Sequence, residues 1–113
     1  MTAARIEFCS SIDQLDPREW NALSGGTHPF ARHEFLAALE HGGCVGPGTG
    51  WQPHYLALRD SGGLAGAAAA HLKTHSYGEF VFDFGWAQAY ERLGRRYYPK
   101  LTLAVPFTPA TGP

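Results

Sequence analysis

A chain of 113 residues is one domain's worth at most, yet long enough to bury about two-thirds of the surface its unfolded form exposes. Apolar residues make up 44% and charged residues 17%, a globular composition with a thin charged coat that excludes a disordered chain. The formal net charge of −1 gives no strong overall field for capturing nucleic acid or an anionic membrane, and no DNA partner is expected.

The opening "MTAARIEFCSSIDQLD" has no apolar core and carries Glu7, Asp13 and Asp16, so it reads as neither a signal nor a transit peptide. "RIEFCSSI" alternates, Ile6 and Phe8 against Glu7 and Cys9, and predicts a first strand. "DPREWNALSGG" predicts a short helix, with Asp16 as N-cap, Pro17 at the first helical position, Glu19 three residues after the cap, and Gly25 and Gly26 as the stop. "HPFARHEFLAALEHGG" predicts the strongest helix. Phe35, Leu36 and Leu39 form its stripe and Glu34, Glu40 and His41 its polar positions.

"CVGPGTGWQP" reads as a loop. "HYLALRD" alternates, Tyr55, Ala57 and Arg59 on one face and Leu56 and Leu58 on the other, and "DSGG" marks a hairpin turn. "LAGAAAAHLKTHSYGEFVF" supplies the returning strand. "GWAQAYERLG" predicts a short helix on which Trp86, Ala89, Tyr90 and Leu93 share a face, capped by Gly94. "KLTLAVPFTP" is a nearly continuous apolar strand, the pattern of a strand covered on both faces. Few other segments can serve as its second neighbour. The order is β-α-α-β-β-α-β, an α/β (α+β) fold with a mixed sheet.

No apolar run approaches the ~20 residues that span a bilayer; "LAGAAAAHL" is too short, and a soluble cytoplasmic protein is expected. Cys9 and Cys44 do not make a disulfide framework and are expected to be reduced and half-buried. "GPGTG" lacks both the dinucleotide spacing and the Lys-Ser/Thr of a P-loop, so it reads as a plain loop. His71 and His75 lie roughly 13 Å apart along a strand, too far for one zinc ion. His33 and His41 are two helical turns apart, and no metal site is expected.

"LKTHSYGEFVFDFGW" is denser in chemistry. Lys73, His75, Tyr77, Glu79 and Asp83 have the types to line a polar cleft, with His75 and Glu79 as proton carriers. The plainer reading makes 73, 75, 77 and 79 the solvent face of one strand. Phe80, Phe82, Phe84 and Trp86 then mark a core side or a substrate wall. "RRYYPK" is either an anion-holding cluster or a solvated connector.

"RHEFLAALE", "GPGTGWQPHYLALRD", "LKTHSYGEFVFD", "AYERLGRRYYPKL" and "VPFTPATGP" together resemble the start of the FemAB-like predicted N-acyltransferases, over residues 32–113. That family is described as peptidoglycan biosynthesis/recognition and placed in the GNAT superfamily of bacterial and other transferases. The resemblance implies that residues 1–113 are the N-terminal part of the first of two GNAT-like domains, with an incomplete, mainly antiparallel sheet and flanking helices. It implies acyl or aminoacyl transfer to a small-molecule or peptide amine. Acyl-CoA or aminoacyl-tRNA is then a co-substrate, not a tightly bound cofactor. The donor's pyrophosphate cradle follows the fourth strand in such folds, so no cofactor-binding residue is assigned here.

The expected bases are His75, Glu79 and Asp83; Lys73, Tyr77, Trp86, Tyr97, Tyr98 and Lys100 are the expected substrate-binding residues. On this reading the chain is inactive alone, partners the remainder of the same protein, and exposes an apolar edge at 101–107 prone to self-association. The alternatives are a stand-alone binding module for a peptide or cell-wall precursor, and a non-functional truncated gene product.

Overall fold

The computed structural model describes residues 3–25, 28–79 and 83–107. They form an α+β fold of three α-helices and two three-stranded antiparallel sheets. The strands are β1 (Arg5–Cys9), β2 (Trp51–Pro53), β3 (Tyr55–Asp60), β4 (Gly63–Ala68), β5 (Ala70–Lys73) and β6 (Lys100–Leu103); the helices are α1 (Pro17–Leu23), α2 (His33–His41) and α3 (Phe84–Arg92). One sheet has the order β1-β3-β4 and the other β2-β5-β6.

Local chemistry sets the helices where the sequence predicts them. Asp16 Oδ1 accepts the Arg18 N–H at 2.9 Å and Pro17 opens α1, whose free N–H groups need such an acceptor. Glu19 does not close a capping box. Its Oε2 accepts the Leu64 N–H at 2.7 Å, tying α1 to β4.

Glu40, on α2, is a hub. Its carboxylate accepts from Ser11 Oγ at 2.6 Å, the Ile12 N–H at 2.8 Å and Tyr55 Oη at 3.0 Å. The buried His33 donates Nε2–H between the carbonyls of Ile12 and Leu15, at 2.8 and 2.9 Å. These polar bonds fasten α2 to the short turn at Ile12–Gln14 and surround an apolar core of Cys9, Ile12, Leu15, Trp20, Leu36, Tyr55, Ala57 and Ala69.

The expected single sheet is divided, and the order gains strands. "WQP" is not loop but β2, paired with β5. The long returning strand breaks at Ala69: β4 stays with β3 while β5 joins β2 and β6. A bulge between Leu58 and Arg59 accompanies the break, and bulges increase local twist. His54 separates β2 from β3 as Ala69 separates β4 from β5, and the His54 N–H bonds the Ala70 carbonyl at 2.9 Å across the seam. β5 ends at Lys73, and residues 74–79 form a turn with Gly78 at φ 83°. Phe80 and Phe82 lie outside the described residues.

Two apolar faces lie opposite to expectation. Ile6 and Phe8 do not enter the core. They pair with Leu58 and Leu56 on the outer face of the first sheet, and Ile6 is 67% exposed. The inner face is already filled by Cys9, Tyr55 and Ala57 against the helices. β6 is an edge strand among the described residues, and Leu101 and Leu103 are about half exposed rather than covered on both faces. Cys9 is buried, whereas Cys44 is exposed rather than half-buried; both are free thiols.

The Gly46–Gly50 stretch is a tightly bonded turn. Thr49 Oγ1 donates to the Gly46 carbonyl at 2.7 Å and accepts the Trp51 N–H at 3.1 Å. Gly50 has φ 77°, and a Cβ placed there would overlap the His75 ring. Gly50→Ala is therefore expected to lower stability by roughly 2–4 kcal/mol, from left-handed strain plus overpacking. Gly25 has a similar φ of 74° but open space, so Gly25→Ala should cost only about 1–2 kcal/mol. Urea denaturation midpoints of the two variants check the difference.

Candidate functional site

The turn at 74–79, β5, β6 and the start of α3 converge on one polar cluster. Lys73 projects from β5 into the interior, with its side chain wholly buried. It is not on a solvent face, as strand alternation alone would have it. Its ammonium donates to Glu79 Oε2 at 2.8 Å and to the Tyr77 carbonyl, and lies 3.7 Å from the centre of the Trp51 ring. Lys100, its neighbour across the β5–β6 pair, donates to Glu79 Oε1 at 2.9 Å, Ser76 Oγ at 3.0 Å and Asp83 Oδ2. All three donors of that ammonium are thus used. Glu79 bridges the two lysines, one oxygen to each.

Hydroxyls complete the cluster. Tyr97 Oη donates to Asp83 Oδ2, and Tyr98 Oη shares a 2.6 Å hydrogen bond with Ser76 Oγ. Asp83 Oδ1 is buried without a hydrogen-bond partner among the described residues. Two ammoniums face two carboxylates, so the formal charges cancel.

The electrostatics divide the two lysines. Burial lowers the Lys73 pKa, and the Glu79 bond offsets that only in part. Burial acts the same way on Lys100, but the bonds to Asp83 and Glu79 outweigh it and raise its pKa. Burial would raise the Asp83 carboxyl; hydrogen bonds from Lys100, Ser76 and Tyr97 instead hold it well below the usual carboxylate range. The bond to Asp83 raises the Tyr97 phenol in turn.

A groove of about 280 Å³ lies over one end of the cluster. Its walls include His75, Tyr77 and Tyr98 and, from α3, Phe84, Gln88 and Glu91, with Ser76 among its lining residues. Ser76 and Tyr98 therefore belong to both groove and cluster.

The structure brings Lys73, Glu79, Asp83, Tyr97, Tyr98 and Lys100 together. His75 and Tyr77 line the groove beside them. Both ring nitrogens of His75 are engaged, Nε2 donating to the Thr49 carbonyl at 2.9 Å and Nδ1 accepting the Tyr77 N–H at 3.1 Å. Trp86 stands apart, exposed on α3.

Sequence reasoning missed Ser76, the link between Tyr98 and Lys100, because a serine in a turn carries no distinguishing pattern. It also missed Trp51, which floors Lys73, because "WQP" read as loop. Trp51 Nε1 donates to the same Tyr77 carbonyl that Lys73 binds, at 3.1 Å.

An α+β protein with a part-buried, charge-balanced lysine–carboxylate cluster opening on an aromatic groove is the class that fold and site define. The model of the FemAB-like family, described as peptidoglycan biosynthesis/recognition, matches residues 11–113, and the chain belongs to that family. No curated protein and no solved structure matches it. Among the described residues no helix is long and apolar enough to cross a membrane.

Proposed function

We propose that the chain supplies one wall of an N-acyltransferase site, in which an acyl or aminoacyl group passes to an amine during peptidoglycan biosynthesis. Membership in the FemAB-like family supports the process, and the reaction rests on the resemblance of the sequence blocks to GNAT-type transferases. The observation that carries the reading is the hydrogen-bonded line from groove to cluster: Tyr98 Oη, Ser76 Oγ, Lys100 Nζ, then Glu79 and Asp83.

Acyl transfer to an amine needs the ammonium proton removed before nitrogen attacks the donor carbonyl. A proton leaves along that line when Lys100 Nζ first hands one of its own to Glu79 Oε1 and, as a neutral amine, then takes the next from Tyr98 Oη through Ser76 Oγ. Asp83, held strongly ionised by the Lys100 and Tyr97 donors, is a weak base and serves to fix both. Glu79 is the carboxylate that receives the proton. His75 positions the groove wall through its two bonds. Tyr77 and Phe84 supply apolar surface to the acceptor. Lys73, with its lowered pKa, keeps Glu79 oriented.

In this reading the chain is the first part of a GNAT-like domain, and the donor cradle comes from a further segment. The half-exposed edge strand β6 is where added structure would pair. Isothermal titration of the chain with acetyl-CoA should show no stoichiometric binding; tight one-to-one binding would overturn the division of the site. In the protein that carries the chain with that segment, Tyr98→Phe should lower kcat by about 10–100-fold with little change in KM. Thiol release from acyl-CoA in the presence of an amine measures this, and an unchanged kcat would remove the relay.

A further inference from the structure

The inner side of α3, through Phe84, Ala87, Gln88 and Glu91, lines the groove. Its opposite side carries Trp86, Tyr90 and Leu93 at i, i+4 and i+7, which are 71%, 42% and 75% exposed. The face that periodicity marks as apolar is thus turned to water, and Ala87 is the helix's buried residue. A stripe of this kind on the surface marks an interaction site.

The residues next to the stripe give the chemistry of its partner. Arg92, at the end of α3, and Arg95 and Arg96, just beyond it, are all exposed. Among the described residues no ion pair involves these three arginines. Glu91 is the one acid between residues 84 and 99, so this segment carries a local positive excess that the whole-chain charge of −1 conceals. Tryptophan and leucine facing outward beside exposed arginines is the pattern of a helix lying in the headgroup layer of a bilayer. There the rings and Leu enter the acyl boundary while guanidinium groups meet lipid phosphates.

We propose that α3 and the arginines after it dock on an anionic lipid surface, with Trp86 and Leu93 inserted and Arg92, Arg95 and Arg96 on the headgroups. The inner side of the helix still faces the groove in that pose, so docking and the groove do not compete for the same side chains.

Trp20 and Trp51 are already buried, so a change in tryptophan emission on mixing with vesicles reports Trp86. With phosphatidylglycerol/phosphatidylcholine vesicles at low salt, the chain should float with the lipid and its emission should move to the blue. With phosphatidylcholine alone it should do neither. The Arg92→Glu/Arg95→Glu/Arg96→Glu variant should partition at least about 100-fold less, since each basic side chain near an anionic surface is worth roughly five-fold. Trp86→Ser should remove the emission shift and weaken flotation. These positions are exposed, and far-UV circular dichroism verifies that both variants keep the fold. Three results would each overturn the proposal: no flotation of the wild-type chain with anionic vesicles, equal flotation with neutral ones, or undiminished flotation of the arginine variant. So would self-association of the wild-type chain that Trp86→Ser abolishes without any vesicle binding, which would make a second copy the occupant.

Discussion

Lys100→Met is expected to destabilise the fold by about 1–3 kcal/mol, because it leaves the part-buried Asp83 carboxylate without its cation and Glu79 with one of two. Glu79 would keep Lys73, but Asp83 would keep only the Tyr97 hydroxyl and the nearby Ser76. The loss should exceed that of an exposed pair such as Arg5–Glu7, for which about 0–1 kcal/mol is typical. The pH dependence identifies the cause. In the wild-type fold the Asp83 carboxyl titrates below its unfolded value of 3.8, so its contribution is complete above that pH and is lost as pH falls below it. In the Lys100→Met variant that acid-side loss should shrink. Adding Asp83→Asn should recover part of the stability, so the double variant loses less than the sum of the single ones. Urea unfolding at several pH values measures all of this. Strictly additive losses would show that the two side chains do not act as a unit.

Acidification from pH 7 to pH 4 should remove about 3 kcal/mol through His71 alone. This ring lies on β5 with no solvent exposure, and neither nitrogen has a hydrogen-bond partner among the described residues. Trp51 and Tyr55 meet it edge-on, with ring centres 5.4 Å away in each case. Burial, and then the Lys73 charge, bring its pKa down from 6.5 to about 4. The unfolded chain takes up this proton near pH 6.5 and the folded chain only near 4. Stability from His71 is therefore whole above pH 6.5 and falls through that window. His41 works in the opposite direction, its pKa raised by the Asp13 hydrogen bond, but it is exposed and solvent screens the pair. His71→Leu should flatten the slope between pH 6.5 and 4 whatever it does to stability at neutral pH. An equally steep slope in that variant would place the titrating group elsewhere.

The parts of this fold that sequence reading reached are those set by neighbours along the chain. Asp16 and Pro17 start α1 through bonds made within one turn. "DSGG" makes the β3–β4 turn because Asp60 Oδ1 accepts the Gly62 N–H at 2.8 Å and Gly63 adopts φ 107°. The parts it did not reach are set by distant partners. Lys73 looks like a solvent residue in an alternating strand until Trp51 is placed beneath it and Glu79 over its ammonium. Ile6 and Phe8 look like core residues until Cys9, Tyr55 and Ala57 have filled the inside. Glu40 looks like an exposed helix position, but its three donors come from the turn before α1 and from β3. The gathering of Glu79, Asp83, Tyr97, Tyr98 and Lys100 was legible as composition, since all sit in one short stretch. Its geometry was not, because β6 must return beside β5 to bring Lys100 opposite Lys73.

The seam between the sheets joins two halves held by different forces. On one side an apolar core packs β3 and β4 against α1 and α2; on the other, ion pairs and hydroxyls gather around β5 and β6. Tyr55 and His71 touch across it. Charging His71 therefore loosens the polar half while leaving the apolar half its cohesion, and the chain should come apart in stages. Mild acid is expected to open the amides of β5 and β6 to exchange before those of β3 and β4, which residue-resolved hydrogen exchange would detect.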